Sequence, residues 1–420
     1  MWVRKRLDIG WRDLAVGLLC TATPMRRSDV QTRLEEAFAG SANTLACLSV
    51  RSGFDLLLAT LGLPERSEIL MSAMTIPDMA RIVEHHGLTP VPVDLDPSTL
   101  GPSVESLCRA VSPSSRAIVV AHLCGGRVPM EPILTLAGKH GLMVIEDCAQ
   151  AFDGRGYSGD PSADVSMFSF GPIKTATALG GALLRVRDRA LLARLRARQA
   201  EYPVQRRSQY AGRLLKYAAF KALSGPTMYG LLLRLWQAMG RDYDRLVNGS
   251  VRGFPGPDFF ARIRQQPSAA LMALLERRLR TYDQGRLERR AAQGGLLARL
   301  LEPKVVCPGR AATPHNAWVF PILVDNPPEV IAALRESGFD ATQGHSMCVV
   351  APPPDRRGCE AVRAARFLSK IVYLPLYPEI PDSSLVRMAE VVLGIARRPV
   401  PLDDRPVGQE LGTGLLSIRL

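Results

Sequence analysis

Val144-Ile-Glu-Asp-Cys-Ala-Gln150, followed by Phe168-Ser-Phe-Gly-Pro-Ile-Lys174 and closed by Gly180-Gly181, is the stretch that decides the fold. The apolar run reads as a buried strand with Asp147 at its carboxyl end, then a loop, then Lys174 in a small-residue setting. Open α/β sheets bind their ligands at the carboxyl ends of strands. An acid there and a lysine soon afterwards suit one task, holding a pyridoxal phosphate ring. The lysine makes the Schiff base, and the acid pairs with the ring nitrogen so that the ring stays an electron sink. Two plainer uses exist: Asp147 as a helix N-cap and Lys174 as a surface lysine in a glycine-rich loop.

Towards the amino terminus, residues 28–39 have a capping Ser28 or Asp29, early acids and helical apolar spacing. Thr44 to Val50 is a short apolar strand, and Arg51-Ser-Gly-Phe-Asp55 opens the apolar helix Leu56 to Leu63. A Ser-Gly turn at a helix start exposes free amides at the positive end of the dipole, a ready anion site. Strand and helix then alternate: strands 68–72, 89–93, 117–122 and 142–145, helices 78–86, 104–111 and 130–140. Such alternation indicates βαβ units and a largely parallel sheet. Asp94, His122 and Asp147 all fall at strand ends.

The pattern changes after residue 185. A Leu- and Arg-rich helix at 191–198 is followed by apolar and basic positions from Arg213 to Met239, broken at Ser224-Gly-Pro226, which fit two amphipathic helices. With Tyr217, Tyr229 and Trp236 among Lys and Arg, residues 200–245 could make weak contact with a membrane surface; packing on the protein or a partner subunit is the favoured alternative. Residues 248–257 read as a loop, and a long helix from Ser268 to about Leu301 leads into a C-terminal α+β lobe, with a strand at 318–324 and helices at 328–337 and 383–396. The expected organisation is an N-terminal arm (1–27), a large α/β domain (28–265, with a helical insertion at about 200–250), a small domain (266–396) and a loose tail (397–420).

Composition sets outer limits. The 420 residues suffice for two domains, and 47% hydrophobic with 22% charged residues excludes wholesale disorder. The eight cysteines are scattered without a Cys-x-x-Cys pair, which argues against a disulfide scaffold or zinc ribbon, leaves no metal site to propose and favours a cytoplasmic setting. The uncharged apolar runs 14–25 and 222–233 are 12 residues each, short of the roughly 20 that a spanning helix needs. The basic start, Met1-Trp-Val-Arg-Lys-Arg, is interrupted by Asp8 and Asp13 and reads as an arm rather than a signal peptide. Of the net +13, residues 185–290 carry 23 Lys/Arg against 8 Asp/Glu, a surface suited to anionic partners such as nucleotide diphosphates. These arginines show no nucleic-acid recognition motif.

Taken together, Arg116-Ala-Ile-Val-Val-Ala-His-Leu-Cys-Gly125, Ile145-Glu-Asp-Cys-Ala-Gln150, Phe168 to Lys174 and Gly180-Gly181 resemble the nucleotide-sugar aminotransferases, the DegT group of fold-type I pyridoxal phosphate enzymes. The similarity runs over about 28–190 and 264–395. It implies an α/β fold with a mostly parallel central sheet flanked by helices and a smaller C-terminal α+β domain. It also implies a homodimer that moves an amino group from glutamate to a keto-sugar, commonly nucleotide-linked, in amino-sugar or surface-glycan biosynthesis. Position by position, Lys174 resembles the Schiff-base lysine, Asp147 the acid on the pyridine nitrogen and Gln150 the residue near the phenolic oxygen. Ser52, Gly53 and Ser169, with Phe54 beside them, resemble the phosphate cup. Ile76 stands where the family stacks an aromatic on the ring; the spacing from Lys174 to the glycine pair is short. Phe260-Ala-Arg-Ile-Arg264 replaces an Asn-Arg pair, leaving Arg262, Arg264 or Asn248 as substitutes for the contact with the partner's phosphate. Two rivals share the fold: a lyase or desulfurase, for which Cys348 is the candidate thiol, and a non-catalytic scaffold or membrane-associated regulator.

Overall fold

In the computed structural model the alternating segments form one seven-stranded sheet of order β1-β8-β7-β6-β5-β2-β4. The strands are β1 (Thr44–Cys47), β2 (Glu68–Ser72), β4 (Thr89–Val93), β5 (Ser115–Ala121), β6 (Met143–Asp147), β7 (Val165–Ser169) and β8 (Ala182–Val186), with a short β3 (Met74–Thr75) outside that sheet. β8 runs antiparallel to both its neighbours; β7, β6, β5, β2 and β4 are mutually parallel. The structure describes residues 1–38, 43–154, 156–223, 225, 254, 256–302, 304–344, 346–396 and 399–400.

A parallel sheet must be covered on both faces, because its crossovers place helices there. One face packs against α3 (Val50–Leu61), α4 (Pro77–His85) and α7 (Arg189–Ala200) through Phe54, Leu57, Ile82 and Leu195. The other takes α5 (Val104–Ala110) and α6 (Glu131–Lys139) through Leu107 and Ile133. A further layer joins α1 (Trp11–Ala22), α2 (Arg27–Ala37), α8 (Arg207–Leu223) and, after the short α9 (Phe259–Ile263), α10 (Ala269–Arg280), around Leu14, Leu34, Tyr210 and Leu271. The C-terminal lobe has its own core, built by α11 (Gln284–Leu301), β9 (Phe320–Leu323), α12 (Pro327–Glu336), β11 (Ile371–Leu374) and α14 (Asp382–Ile395); β10 (Cys348–Val349) and α13 (Val362–Lys370) lie between the lobes.

Local chemistry moves three expected features. Helix α3 begins at Val50 rather than after Asp55, because the Ser49 hydroxyl accepts the Ser52 amide and the Ser49 carbonyl accepts the Gly53 amide. The long helix expected from Ser268 to Leu301 divides at 281–283, where the Asp283 carboxylate accepts the Gly285 amide (3.0 Å) and starts a second helix. Ala270, Leu271, Leu274 and Leu275, ahead of this break, pack in the core cluster that also holds Leu14, Leu34 and Tyr210. Of the helical pair expected over 213–239, the first member is α8; Tyr229, Trp236 and the second member lie outside the described residues. Tyr210 and Tyr217 are buried, and the Tyr210 hydroxyl donates to the Ala178 carbonyl (2.8 Å), so this helix packs on the protein. Among the described residues no helix is long and apolar enough to cross a membrane.

Candidate active site

Parallel pairing aligns the carboxyl ends of β5, β6 and β7, and Asp147 terminates the middle one, half-buried. One Asp147 oxygen accepts the Ala149 amide (3.0 Å). Burial pushes its carboxyl above the usual value, against the pull of that amide, Lys174, His122 and Arg51. Lys174 follows β7 on a loop tied down at many points. The Thr177 hydroxyl bonds the carbonyls of Phe170 and Gly171, and the Leu179 amide donates to the Thr177 hydroxyl. Ala176, at φ 52°, donates its amide to Asp8 (2.9 Å), so an uncommon left-handed residue is held by the N-terminal arm. The Lys174 ammonium lies 4.2 Å from the Trp318 ring centroid. Burial lowers its pKa to about 8; Asp147 pulls it up and Arg51 pushes it further down.

Around this pair the remaining candidates divide. Gln150 accepts the Cys124 amide (2.7 Å), bridging the loops that follow β5 and β6. Ser169 sits at the base of the lysine loop; a Cβ placed on Gly171 would stand 3.6 Å from the Ser169 hydroxyl and 4.0 Å from Lys174 Cγ. Ser52 and Gly53 lie within the first turn of α3, their amides already engaged by Ser49. Gly53 is small for another reason: a Cβ there would stand 2.6 Å from Leu184 Cδ1, so the glycine lets α3 press onto β8. Phe54 is wholly buried in the hydrophobic core. Ile76 is the N-cap residue of α4 and packs, half-buried, onto the same core.

The residue that the sequence reading missed at the start of α3 is Arg51, which acts electrostatically on both Lys174 and Asp147 and pairs with Asp78. Recognising Ser49 as the cap would have placed it. Trp318, Lys5 and Arg290 are also new, and all line the cavity beside Lys174. Of the three strand-end groups, only Asp147 belongs to the site. Asp94 accepts the amides of Arg363 and Ala364 at the start of α13 (2.9 Å each). His122 Nδ1 accepts the Val128 amide (3.0 Å), so Nε2 donates to Glu146 (2.9 Å), which also accepts from Ser166, Tyr157 and the Asp160 amide. Cys148 stands near this pair, its thiol pushed well up by burial. His122 and Glu146 thus form a saturated structural network. Arg264 is committed to a two-pronged pair with Asp55 (2.9 Å each), and Asn248 lies outside the described residues.

The Cys348 sulfur lies 3.5 Å from the Thr75 carbonyl, where β10 pairs with β3, and burial and Asp78 raise its pKa. A thiol so placed is held in its unreactive form.

Comparison with known proteins accords with this geometry. The chain is 32% identical over 197 residues to a GDP-perosamine synthase of Caulobacter vibrioides, covering 46% of this chain and 53% of that protein. It is 34% identical over 161 residues to a UDP-N-acetyl-3-dehydro-alpha-D-glucosamine 3-aminotransferase of Acidithiobacillus ferrooxidans, covering 38% and 44%. It therefore spans about half the length of the curated relatives it matches. The aminotransferase TlmJ from Streptoalloteichus hindustanus superposes with a TM-score of 0.68 at 20% identity, covering 94% of this chain and 98% of that one. NtdA from Bacillus subtilis, solved with bound cofactor PMP, superposes at 0.65 with 16% identity, covering 94% and 86%. These likenesses establish the fold, an α/β transferase fold with a mostly parallel sheet. Residues 24–220, which include Asp147 and Lys174, match the model of the DegT/DnrJ/EryC1/StrS aminotransferase family.

Proposed function

We propose that this chain moves an amino group from glutamate to a keto-sugar carried on a nucleotide, using pyridoxal phosphate held between Asp147 and Lys174. One observation carries the reading: a half-buried carboxyl with a raised pKa faces an amine whose pKa is lowered to about 8. Each lacks something the cofactor brings, a cation for the acid and a carbonyl for the amine, so the donor set fits. Serine at 169 and the cationic start of α3, with Arg51, suit its phosphate. When bound, pyridoxal phosphate supplies the carbonyl that accepts the amino group and the ring that takes up the electrons of the donor's α-carbon.

The protein's own part follows from its charges. With a pKa of about 8, Lys174 is free amine in about a quarter of molecules at pH 7.5, against about one in a thousand for an ordinary lysine. That amine can take the proton from the donor's α-carbon and return it on the other side of the transfer. Asp147 keeps its negative charge once a cationic ring nitrogen lies against it. Trp318 walls the amine from solvent. The GDP- and UDP-sugar names of the relatives support a nucleotide-linked acceptor. We place the protein in the cytoplasm as a homodimer. The thiol chemistry of Cys348 gives no support to the lyase alternative.

The test is a visible absorption spectrum of the purified protein before and after glutamate, beside Lys174→Ala. A yellow band that glutamate bleaches and the variant lacks is the expected result. A protein that stays colourless with added pyridoxal phosphate overturns the enzyme reading in favour of the scaffold.

A further inference from the structure

The N-terminal arm enters the active site. Trp2 pairs with Phe339, its amide donating to the Gly338 carbonyl (2.8 Å), and Arg4 clasps Asp340 (2.8 and 2.9 Å), so the arm lies along the C-terminal lobe. Asp8 then anchors on the lysine loop, accepting from the Ala176 amide and from Tyr282 and Arg286 (2.7 and 3.1 Å). Between these moorings Lys5 is laid over Trp318, its ammonium 3.1 Å from the ring centroid and 3.4 Å from the Trp318 carbonyl. Lys174 stands over the same ring, and the two amines line one cavity.

That cavity has more cations than its anions can satisfy. Arg290 is buried and donates to the Asn316 carbonyl (2.8 Å) and the Thr175 hydroxyl (3.2 Å). Among the described residues none of Lys5, Lys174 and Arg290 makes an ion pair with a carboxylate, and the two acids lining the cavity, Asp8 and Glu379, are both engaged by Arg286. Crowding buried cations without counter-charge is costly unless a ligand supplies it. Burial, Lys174 and Arg290 all depress Lys5, only partly opposed by Asp8 and Cys124, which is the state an arriving anion would relieve.

We propose that Lys5, with Arg290 behind it, forms an oxyanion subsite beside Lys174 that takes the carboxylate of the amino donor or the diphosphate of the acceptor. This rests on the aminotransferase reading, which supplies both anions. Lys5 lies outside residues 24–220, so it is a feature of this chain's arm rather than of the matched stretch.

The full-length protein, reconstituted with pyridoxal phosphate, is titrated calorimetrically with succinate and, separately, with UDP, as wild type, Lys5→Met and Lys5→Arg. Borohydride trapping and peptide mass spectrometry report whether the cofactor sits on Lys174 in each. Lys5→Met should weaken one probe by about tenfold or more, the loss expected for one charge-assisted contact, and Lys5→Arg should restore most of it. Loss for succinate assigns the subsite to the donor's carboxylate; loss for UDP assigns it to the diphosphate. Unchanged affinity for both probes, equal loss in Lys5→Met and Lys5→Arg, or a wild type that binds neither probe overturns the proposal. Absence of trapped cofactor from Lys174 overturns the aminotransferase reading instead, and the two failures are read from different instruments.

Discussion

Replacing Lys174 by methionine should make the cofactor-free protein more stable at neutral pH. In the folded chain Lys174 titrates near 8, against 10.5 for a lysine in the open chain. Between those values the unfolded chain binds more protons, so stability rises with pH there; below 8 the full cost of charging a buried amine is present. At 1.36 kcal/mol for each tenfold step the gap amounts to about 3 kcal/mol. Lys174 retains some solvent contact, and screening reduces this to about 2 kcal/mol. Methionine preserves most of the volume, so little packing is lost. For 420 residues the unfolding entropy is about 0.9 kcal/mol per degree, so the expected rise in Tm is about 2 °C at pH 7. At pH 9.5 less than half should remain, because the folded lysine is already neutral and removing the proton of the unfolded one costs only about one pH unit there. Differential scanning calorimetry of both proteins at the two pH values reads this directly. A gain that is equal at both, or a variant that melts below wild type at pH 7, refutes the view that Lys174 is held destabilised for its chemistry.

Gly53→Ala should destabilise the fold by about 1–2 kcal/mol net, overpacking against Leu184 outweighing the gain in helix propensity; adding Leu184→Ala should recover part of that loss in a double-mutant cycle, and strictly additive effects would contradict the packing role. Arg51→Met should raise the pKa of Lys174 while Asp147→Asn lowers it, measured as the pH dependence of Lys174 acetylation in cofactor-free protein; shifts of the same sign would contradict the arrangement. Asp8→Asn should release the Ala176 amide and Arg286 together, seen as faster proteolysis of the arm and of the lysine loop. Maleimide labelling at pH 8 should modify exposed Cys108 well before Cys348.

Much of this was legible in the sequence because it depends on local pattern. Apolar runs alternating with amphipathic helices gave the parallel sheet, and Asp147 at the end of one strand, with Ser169 ending the adjacent strand just before the Lys174 loop, placed the acid and the amine at the same end of the sheet. The start of α3 was displaced because Ser49 and Ser52 are both plausible caps, and only the folded backbone shows which hydroxyl receives an amide. Phe54, named beside Ser52 and Gly53 by resemblance alone, is buried in the core. The break at 281–283 is carried by Asp283, a good N-cap inside an otherwise continuous helical pattern. Lys5 had no local signal at all: its partner Trp318 is 313 positions away, and the contact exists only because the arm is moored at both ends.

The origin of the cavity's walls has a practical consequence. Asp147 and Lys174 come from the stretch matched to the family, whereas Lys5, Asp8, Arg286, Arg290 and Trp318 come from the arm and the C-terminal lobe. On the proposed reading, reaction chemistry and substrate choice fall to separable parts of the chain. That reading predicts that a chimera exchanging residues 24–220 with a relative keeps the binding preference set by Lys5 and Arg290, and that grafting the arm together with α11 carries that preference across.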